Sequence, residues 1–266
     1  MLNKILSARK AVWEKTPLIH CITNPISIND CANFVLSAGA KPFMAEHPQE
    51  AAEVTAMADA LALNIANITD ARLRSIEISA KTAAERNIPS VIDAVGVSCS
   101  KLRYDYLKKL LADTKVSVIK GNIAEIRALL DRKTKTVGID VAETPDFDDC
   151  VSAAAELAKK YRCTVLASGK KDIITDGKNV YTAANGKKEM SLVTGTGCVL
   201  NVLCAVYMSV MQPTDACIAA AVVFGICGEL AESKNGMASY RANMLDKLYT
   251  LTDKEISENI KAEKII

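Results

Sequence analysis

The sequence predicts a three-layer α/β protein, in which a mostly parallel sheet lies between helices. Along the first 168 residues, short β-branched runs alternate with stretches of helical period, and the runs are apolar on both faces. After Ser168 the pattern changes to two short alternating runs, which predict antiparallel strands at an edge of the sheet. No Pro/Gly/Ser-rich linker interrupts the 266 residues, so we expect a single domain over residues 1–266.

The predicted elements follow in order along the chain. The first 17 residues predict an amphipathic helix. Strands are predicted at residues 18–22, 60–65, 90–94, 116–120 and 164–168, and helices between them at 29–37, 71–86, 102–111, 124–130 and 149–160. Residues 172–175 and 179–183, joined by Asp176-Gly177-Lys178, predict a hairpin of edge strands. Two apolar helices follow at 199–211 and 216–230, and residues 237–266 predict a helix and a charged tail.

The composition excludes two classes of partner. The 33 basic and 31 acidic residues nearly balance and are scattered, so we expect no nucleic-acid partner. The first 17 residues lack the apolar region and cleavage site of a signal peptide. The longest apolar run, residues 216–227, is shorter than the roughly 18 residues of a membrane span, so we expect no membrane partner and a cytoplasmic protein.

The nine cysteines and two histidines do not form a pattern that binds metal. The odd cysteine count, the absence of a Cys-x-x-Cys pair and the missing secretory signal argue against disulfides, and neither histidine has zinc-ligand spacing to a cysteine pair. We therefore expect most of the cysteines to be small buried hydrophobic residues. His20 and His47 are expected to be hydrogen-bonded residues rather than catalytic bases.

The most distinctive segment is the loop Thr194-Gly195-Thr196-Gly197-Cys198, directly before the first apolar helix. Two glycines let the backbone approach a ligand, and the N–H groups at a helix start bind anions, so the loop suits a phosphate. It has neither the Gly-Lys-Ser/Thr of a Walker loop nor the third glycine of a dinucleotide fingerprint. A tight strand-to-helix turn without a ligand would explain the loop alone equally well.

Cys198 lies at the start of that helix, where a cysteine favours its thiolate form. A phosphocysteine mechanism needs an arginine shortly after the cysteine, and residues 199–233 contain no Lys or Arg, so we exclude that chemistry. Two interpretations are left. Cys198 is either a general base that takes a proton from a substrate alcohol or a buried core cysteine.

Three predicted strand ends carry further candidate ligands. Lys120 ends one strand and is suited to nucleotide phosphates. Asn122 and Glu125 form the start of a capping box and nothing more, or Glu125 holds a hydrated Mg²⁺. Asp93 ends another strand, where it either stabilises its own loop or adjoins Glu125 if the two strands are neighbours. Ser168 either places a hydroxyl on a phosphate or forms a turn.

Taken together, these motifs resemble the hydroxyethylthiazole kinase family of the ribokinase-like superfamily. The match runs in order over most of the chain, so it is more specific than any single motif. A cysteine after the glycine loop distinguishes this family, because ribokinase-like enzymes in general have Asp there. The matching residues are His20, Cys21, Ile22, Thr23, Asn24, Asn29, Ala32, Asn33, Gly39, Ala40, Met44, Ala45, Asp93, Val95, Gly96, Gly121, Asn122, Glu125, Ile126, Ser168, Gly169, Asp172 and residues 194–198.

The resemblance implies a ribokinase-like α/β/α fold and the ATP- and Mg²⁺-dependent phosphorylation of 4-methyl-5-(2-hydroxyethyl)thiazole for thiamin salvage. It also implies a homotrimer with active sites between subunits. By this likeness the catalytic residue is Cys198. The other implied roles are substrate binding by Asn24, Met44 and Gly195, ATP binding by Lys120, Asn122, Ser168 and Gly197, and metal binding by Asp93 and Glu125.

Three positions depart from the family pattern: Lys120 replaces the usual Arg, Ala94 the usual Pro, and Ala66 the usual Gly. A lysine neutralises a phosphate but cannot form the two parallel hydrogen bonds of an arginine, so we expect weaker ATP affinity. Two other functions stay open. One is a ribokinase-like kinase of another vitamin-precursor alcohol, of the hydroxymethylpyrimidine or pyridoxal type, and the other is a catalytically silent ligand-binding homologue.

Overall fold

A nine-stranded sheet runs through the part of the chain that the structure describes. The structure is a computed structural model that describes residues 1–131, 136–137, 140–141 and 146–266. The strands of this sheet are β1 (Leu18–Ile22), β2 (Lys41–Phe43), β3 (Ala60–Asn64), β4 (Ser90–Asp93), β5 (Val118–Asn122), β8 (Thr164–Ser168), β9 (Asp172–Thr175), β10 (Val180–Ala183) and β11 (Ala262–Lys264). Two further short strands, β6 (Thr136–Val137) and β7 (Asp140–Val141), pair with each other.

The strand order across the main sheet is β11-β10-β9-β8-β5-β4-β3-β1-β2. The six strands from β8 to β2 are parallel, while β9, β10 and β11 are each antiparallel to the strand before them. The prediction of a mostly parallel sheet with antiparallel edge strands is therefore confirmed. Since parallel strands share a direction, the carboxyl ends of six strands meet at one edge of the sheet.

Helices cover both faces of the sheet, as predicted. They are α1 (Leu2–Lys15), α2 (Ile28–Ser37), α3 (Ala51–Met57), α4 (Asp70–Arg86), α5 (Lys101–Asp113), α6 (Ile123–Leu129), α7 (Phe147–Tyr161), α8 (Thr196–Met208), α9 (Pro213–Leu230), α10 (Met237–Thr250) and α11 (Asp253–Asn259), with a short 3₁₀ helix at Lys188–Leu192. One buried core joins the sheet to α1, α2, α8, α9 and α10, and a second joins it to α4, α5, α6 and α7.

Strand β3 shows how the sequence builds both cores. Ala60 and Ala62 face the core that contains α8, whereas Leu61 and Leu63 face the opposite core. Side chains alternate between the faces of a strand, so the small residues all point to one side. This lets α8 pack directly on β3 and β4, the strands that bring Asn64 and Asp93 to the sheet edge.

The helix α9 begins at Pro213, three residues before its predicted start, and its 18 residues are apolar enough to cross a membrane by length and composition. The expectation that no apolar segment reaches that length was therefore wrong. Within the described residues α9 is the one helix that passes this test, and 72% of it is buried inside the fold. Such burial is typical of a core helix.

Other elements also differ from the prediction. The helix α3 was not predicted, and β5 spans Val118–Asn122 instead of residues 116–120. The strand β2 was missed because its Lys-Pro-Phe sequence is short and contains Pro42, which is compatible only with a sheet edge. The strand β11 lies within the predicted charged tail, where it pairs through backbone bonds with β10. The helix α8 starts at Thr196 instead of Val199, so Gly197 and Cys198 lie in its first turn.

Candidate active site

The candidate site lies where β1, β3, β4, β5 and β8 end beside the first turn of α8. Gly195, directly before α8, has a φ of +92°, a left-handed conformation that favours glycine. The Val199 N–H donates to the Gly195 carbonyl over 2.9 Å, and this is the first hydrogen bond of the helical pattern. The N–H groups of Thr196, Gly197 and Cys198 precede it and lie outside that pattern. This geometry suits an anion.

The sulfur of Cys198, a partly exposed residue, is held by two asparagine amides. The Nδ2 atoms of Asn24 and Asn64 each donate to Sγ over 3.3 Å. The Oδ1 atom of Asn24 accepts the N–H groups of Ile26 and Ser27 at 3.1 and 3.2 Å, which turns its amide nitrogen toward the sulfur. Because two N–H groups point at Sγ, the sulfur acts as an acceptor, which suits a group that takes up a proton.

A buried ion pair lies below the glycine loop. Nζ of Lys120 is 2.9 Å from Oδ2 of Asp93, and the two residues are 4% and 2% exposed. Burial by itself would lower the pKa of Lys120, but the Asp93 carboxylate outweighs it and holds that pKa above its ordinary value. A Cβ atom added at Gly197 would lie 3.2 Å from Nζ, so Lys120 connects the carboxylate to the underside of the loop.

Glu125 caps the helix α6 and has a raised pKa. Its carboxylate oxygens accept the N–H groups of Gly96 and Asn122, both at 2.7 Å, and its own N–H donates to Oδ1 of Asn122 over 2.9 Å. The capping box at the start of α6 is therefore confirmed. Burial and the nearby charge of Asp93 raise the pKa of Glu125 to about 7, although the two N–H groups oppose this. The expected proximity of Asp93 and Glu125 follows from the pairing of β4 with β5.

A cleft of about 1160 Å³ opens on the other side of the glycine loop. Ser168 and Gly197 line it, and Oγ of Ser168 donates to the Gly121 carbonyl over 3.3 Å. Its size and its lysine-rich wall fit a nucleoside triphosphate. Lys120 and Asn122 lie next to this cleft rather than in its lining, in the ion pair and the helix cap. The lysines of the wall are Lys170, Lys171, Lys187 and Lys188.

The remaining candidate residues named in the sequence analysis are Met44 and the two histidines. Met44 follows β2 and is partly buried against the core that contains α8. His20 is buried: its Nε2 donates to the Ala45 carbonyl over 2.9 Å, its Nδ1 is 2.8 Å from Oγ1 of Thr55, and burial lowers its pKa. His47 is exposed and accepts the N–H of Gln49 at 3.3 Å. The prediction of hydrogen-bonded histidines is confirmed for both.

The cysteines separate into three groups. Seven are buried, Cys99 is exposed and Cys198 is partly exposed, and all nine are free thiols. The expectation of buried hydrophobic residues is right for the seven and wrong for Cys99, whose Sγ donates to the Gly96 carbonyl over 3.4 Å. Only tertiary packing decides which cysteine reaches the surface.

Asn64 is the site residue to which the sequence analysis assigned no role. Its amide contacts Cys198 and also donates to Oδ2 of Asp93 over 3.3 Å. The available signal was a buried polar residue that ends an otherwise apolar strand, the same signal that selected Asp93.

Sequence comparison relates the chain to hydroxyethylthiazole kinases. A profile of the hydroxyethylthiazole kinase family matches residues 10–254. Hydroxyethylthiazole kinase 2 of Clostridium botulinum (strain Hall) is 44% identical over 261 residues, covering 96% of this chain and 98% of that protein. Hydroxyethylthiazole kinase of Finegoldia magna is 40% identical over 265 residues, covering 100% of this chain and 98% of that protein.

Structure comparison agrees with the sequence comparison. A hydroxyethylthiazole kinase structure from Pyrococcus horikoshii OT3 superposes with a TM-score of 0.91 at 31% identity, covering 99% of this chain and 100% of that one. An ADP complex of Bacillus subtilis pyridoxal kinase gives a TM-score of 0.61 at 16% identity, covering 85% and 98%, a likeness of fold alone. The predicted ribokinase-like fold is therefore confirmed.

Proposed function

The chain belongs to the hydroxyethylthiazole kinase family, and we propose that Cys198 is the base in its reaction. As a kinase of this family it phosphorylates the hydroxyl of 4-methyl-5-(2-hydroxyethyl)thiazole for thiamin salvage. The observation that carries the role of Cys198 is the acceptor geometry of its sulfur. Two amide N–H groups hold Sγ beside the backbone N–H groups of the α8 start, so a proton acceptor and an anion site are adjacent.

In the proposed step the hydroxyl proton of the thiazole alcohol moves to the Cys198 thiolate. The alcohol oxygen forms a bond to the γ-phosphorus of ATP, and the bond from that phosphorus to the bridging oxygen breaks, which leaves ADP. Backbone N–H groups of Gly197 and Cys198 donate to the moving phosphoryl group. Catalysis is then mostly positioning and charge neutralisation, as in other phosphoryl transfers.

On the nucleotide side, ATP occupies the lysine-rich cleft with Ser168 and Gly197 along its phosphates. This assignment is supported by the lining and the volume of the cleft. Lys120 neutralises phosphate charge from beneath Gly197, where its Nζ already lies. Asn122, which follows Lys120 and Gly121 on the chain, binds ATP from the capping box at the start of α6.

Asp93 and Glu125 are the proposed ligands of Mg²⁺. Two buried carboxylates gain from a nearby cation, since burial and, to a smaller extent, the charge of Asp93 raise the pKa of Glu125. Oxygen ligands of this kind fit Mg²⁺, which takes one or two carboxylates together with phosphate oxygens and waters. When bound there, the ion would neutralise charge on the phosphates of ATP.

The thiazole is proposed to bind between Asn24, Met44 and Gly195, in an active site completed by another subunit of a homotrimer. Large apolar side chains near these residues in sequence are exposed in the single chain, namely Ile26, Phe43 and Leu192. Exposed apolar side chains beside a site are typical of a surface that another chain covers. A cytoplasmic location fits the nine free thiols.

The direct test is ATP-dependent phosphorylation of the thiazole alcohol by the purified protein with Mg²⁺. Turnover is expected, and its absence at saturating substrate would overturn the proposal. Hydroxymethylpyrimidine and pyridoxal as competing acceptors test the specificity, while binding without turnover in calorimetry would identify a silent homologue. Light scattering during gel filtration measures the oligomeric state, for which a trimer is expected.

A further inference from the structure

The amide of Asn64 bridges the two halves of the site. From the end of β3 its Nδ2 atom lies 3.3 Å from Sγ of Cys198 and 3.3 Å from Oδ2 of Asp93. Asn64 is 1% exposed, so water does not compete for these bonds. The proposed proton acceptor and the buried ion pair with Lys120 are thus joined through a single nitrogen atom.

The orientation of this amide is set by its own turn. Oδ1 of Asn64 accepts the N–H of Ala66 at 2.8 Å, so the nitrogen must face the other way. An amide nitrogen carries two hydrogens, one for each of its two acceptors. A flipped amide would place Oδ1 against the carboxylate of Asp93 and leave the Ala66 N–H facing a donor. Every polar group of the side chain is therefore used in the observed orientation.

Asn24 does not duplicate this role. Its Nδ2 atom also donates to Sγ of Cys198, but its second acceptor is Oγ of Ser27, 2.9 Å away. Among the hydrogen bonds of the described residues, Asn64 is the side chain that donates to both the sulfur and Asp93.

We propose that Asn64 is a positioning residue, which holds the Cys198 sulfur at a set distance from the Asp93–Lys120 pair. The proposal rests on the proposed role of Cys198 as base. Phosphoryl transfer requires that the proton acceptor and the charge-neutralising groups keep fixed positions around the reacting atoms. A displacement of about 1 Å can lower the rate about a hundredfold. The simpler alternative is that Asn64 only terminates β3.

Kinetics separate the two roles when Asn64→Ala is compared with Asn201→Ala. Asn201 is also 1% exposed, and its Nδ2 donates to the Leu63 carbonyl of the same strand over 3.0 Å. Both variants lose a buried amide, and we expect similar falls in Tm. We expect Asn64→Ala to lower kcat 30- to 100-fold with less than a threefold change in KM for the thiazole, and Asn201→Ala to lower kcat less than threefold. Equal losses of kcat in the two variants would overturn the proposal.

Alkylation of Cys198 by iodoacetamide gives a readout that does not depend on turnover. The Cys99→Ser background removes the one exposed thiol, and the seven others are buried. Asn64→Asp has nearly the same size but loses the donor to sulfur and adds negative charge, so we expect about tenfold slower alkylation at neutral pH. Asn201→Ala should leave the rate unchanged. If the wild-type chain lacks thiazole kinase activity, the proposed function fails, while an unchanged alkylation rate in Asn64→Asp overturns the role of Asn64.

Discussion

Removing the charge of Glu125 is expected to change how stability depends on pH. The residue is 3% exposed, and burial together with the charge of Asp93 raises its pKa from 4.5 to about 7. Between these two values the folded chain binds more of this proton than the unfolded chain does. The free energy of unfolding therefore falls as pH rises through the window. A shift of this size corresponds to about 3 kcal/mol of lost stability once pH exceeds the folded pKa.

The substitution Glu125→Gln removes this titration while keeping the shape of the side chain. Glutamine has one carbonyl oxygen, so one of the two bonds from Gly96 and Asn122 is lost. This lost bond lowers the free energy of unfolding by about 1–3 kcal/mol at every pH. It therefore does not change how that free energy depends on pH. Relative to the wild type, the variant should gain about 3 kcal/mol between about pH 4.5 and pH 8.

Urea denaturation of the metal-free and nucleotide-free proteins across this pH range measures the difference. Because the remaining titrating groups are common to both chains, most of their contributions cancel in the comparison. A difference between the two unfolding free energies that stays constant within about 0.5 kcal/mol would refute the reasoning, since Glu125 would then ionise normally inside the fold.

The other predictions concern catalysis and nucleotide binding. Cys198→Ala should lower kcat by about 10²–10⁴-fold and change KM for the thiazole much less, whereas equal losses would indicate a packing role. Lys120→Met should lower the free energy of unfolding by about 3–5 kcal/mol, measured in urea, because Asp93 loses its buried partner. Lys120→Arg should lower KM for ATP, and an unchanged KM would show that the lysine does not limit nucleotide binding. Gly197→Ala should lower kcat at least about tenfold in the kinase assay, because the added Cβ would lie 3.2 Å from Nζ of Lys120, while normal turnover would contradict a close approach of the loop to the phosphates.

Local features of the sequence were enough to place most elements of the site. The strand ends at Asp93 and Ser168 were correctly located, since apolar runs that end in a polar residue mark the edge of a covered sheet. The strand β5 continues past its predicted end at Lys120 to Asn122. The predicted ends of an element were less accurate where the sequence lacks a helical or strand period. The start of α8 was placed three residues late, because Thr196, Gly197 and Cys198 have low helix propensity and give no apolar pattern.

Contacts between distant segments could not be predicted in the same way. Cys198 meets Asn24 across 174 residues of sequence and Asn64 across 134. No local pattern specifies such pairs, so Asn64 had no assigned role. For the same reason the exposure of Cys99 could not be predicted.

The sequence by itself determined the α/β class, the mostly parallel sheet, the glycine loop at a helix start and the family resemblance that comparison confirmed. These depend on periodicity and on motifs within a few residues. Only the tertiary structure decided that two amides donate to the Cys198 sulfur, that Lys120 is buried against Asp93, and that burial raises the pKa of Glu125 to about 7. Each of these depends on burial and on distances between strand ends, which are set by packing the helices on the sheet.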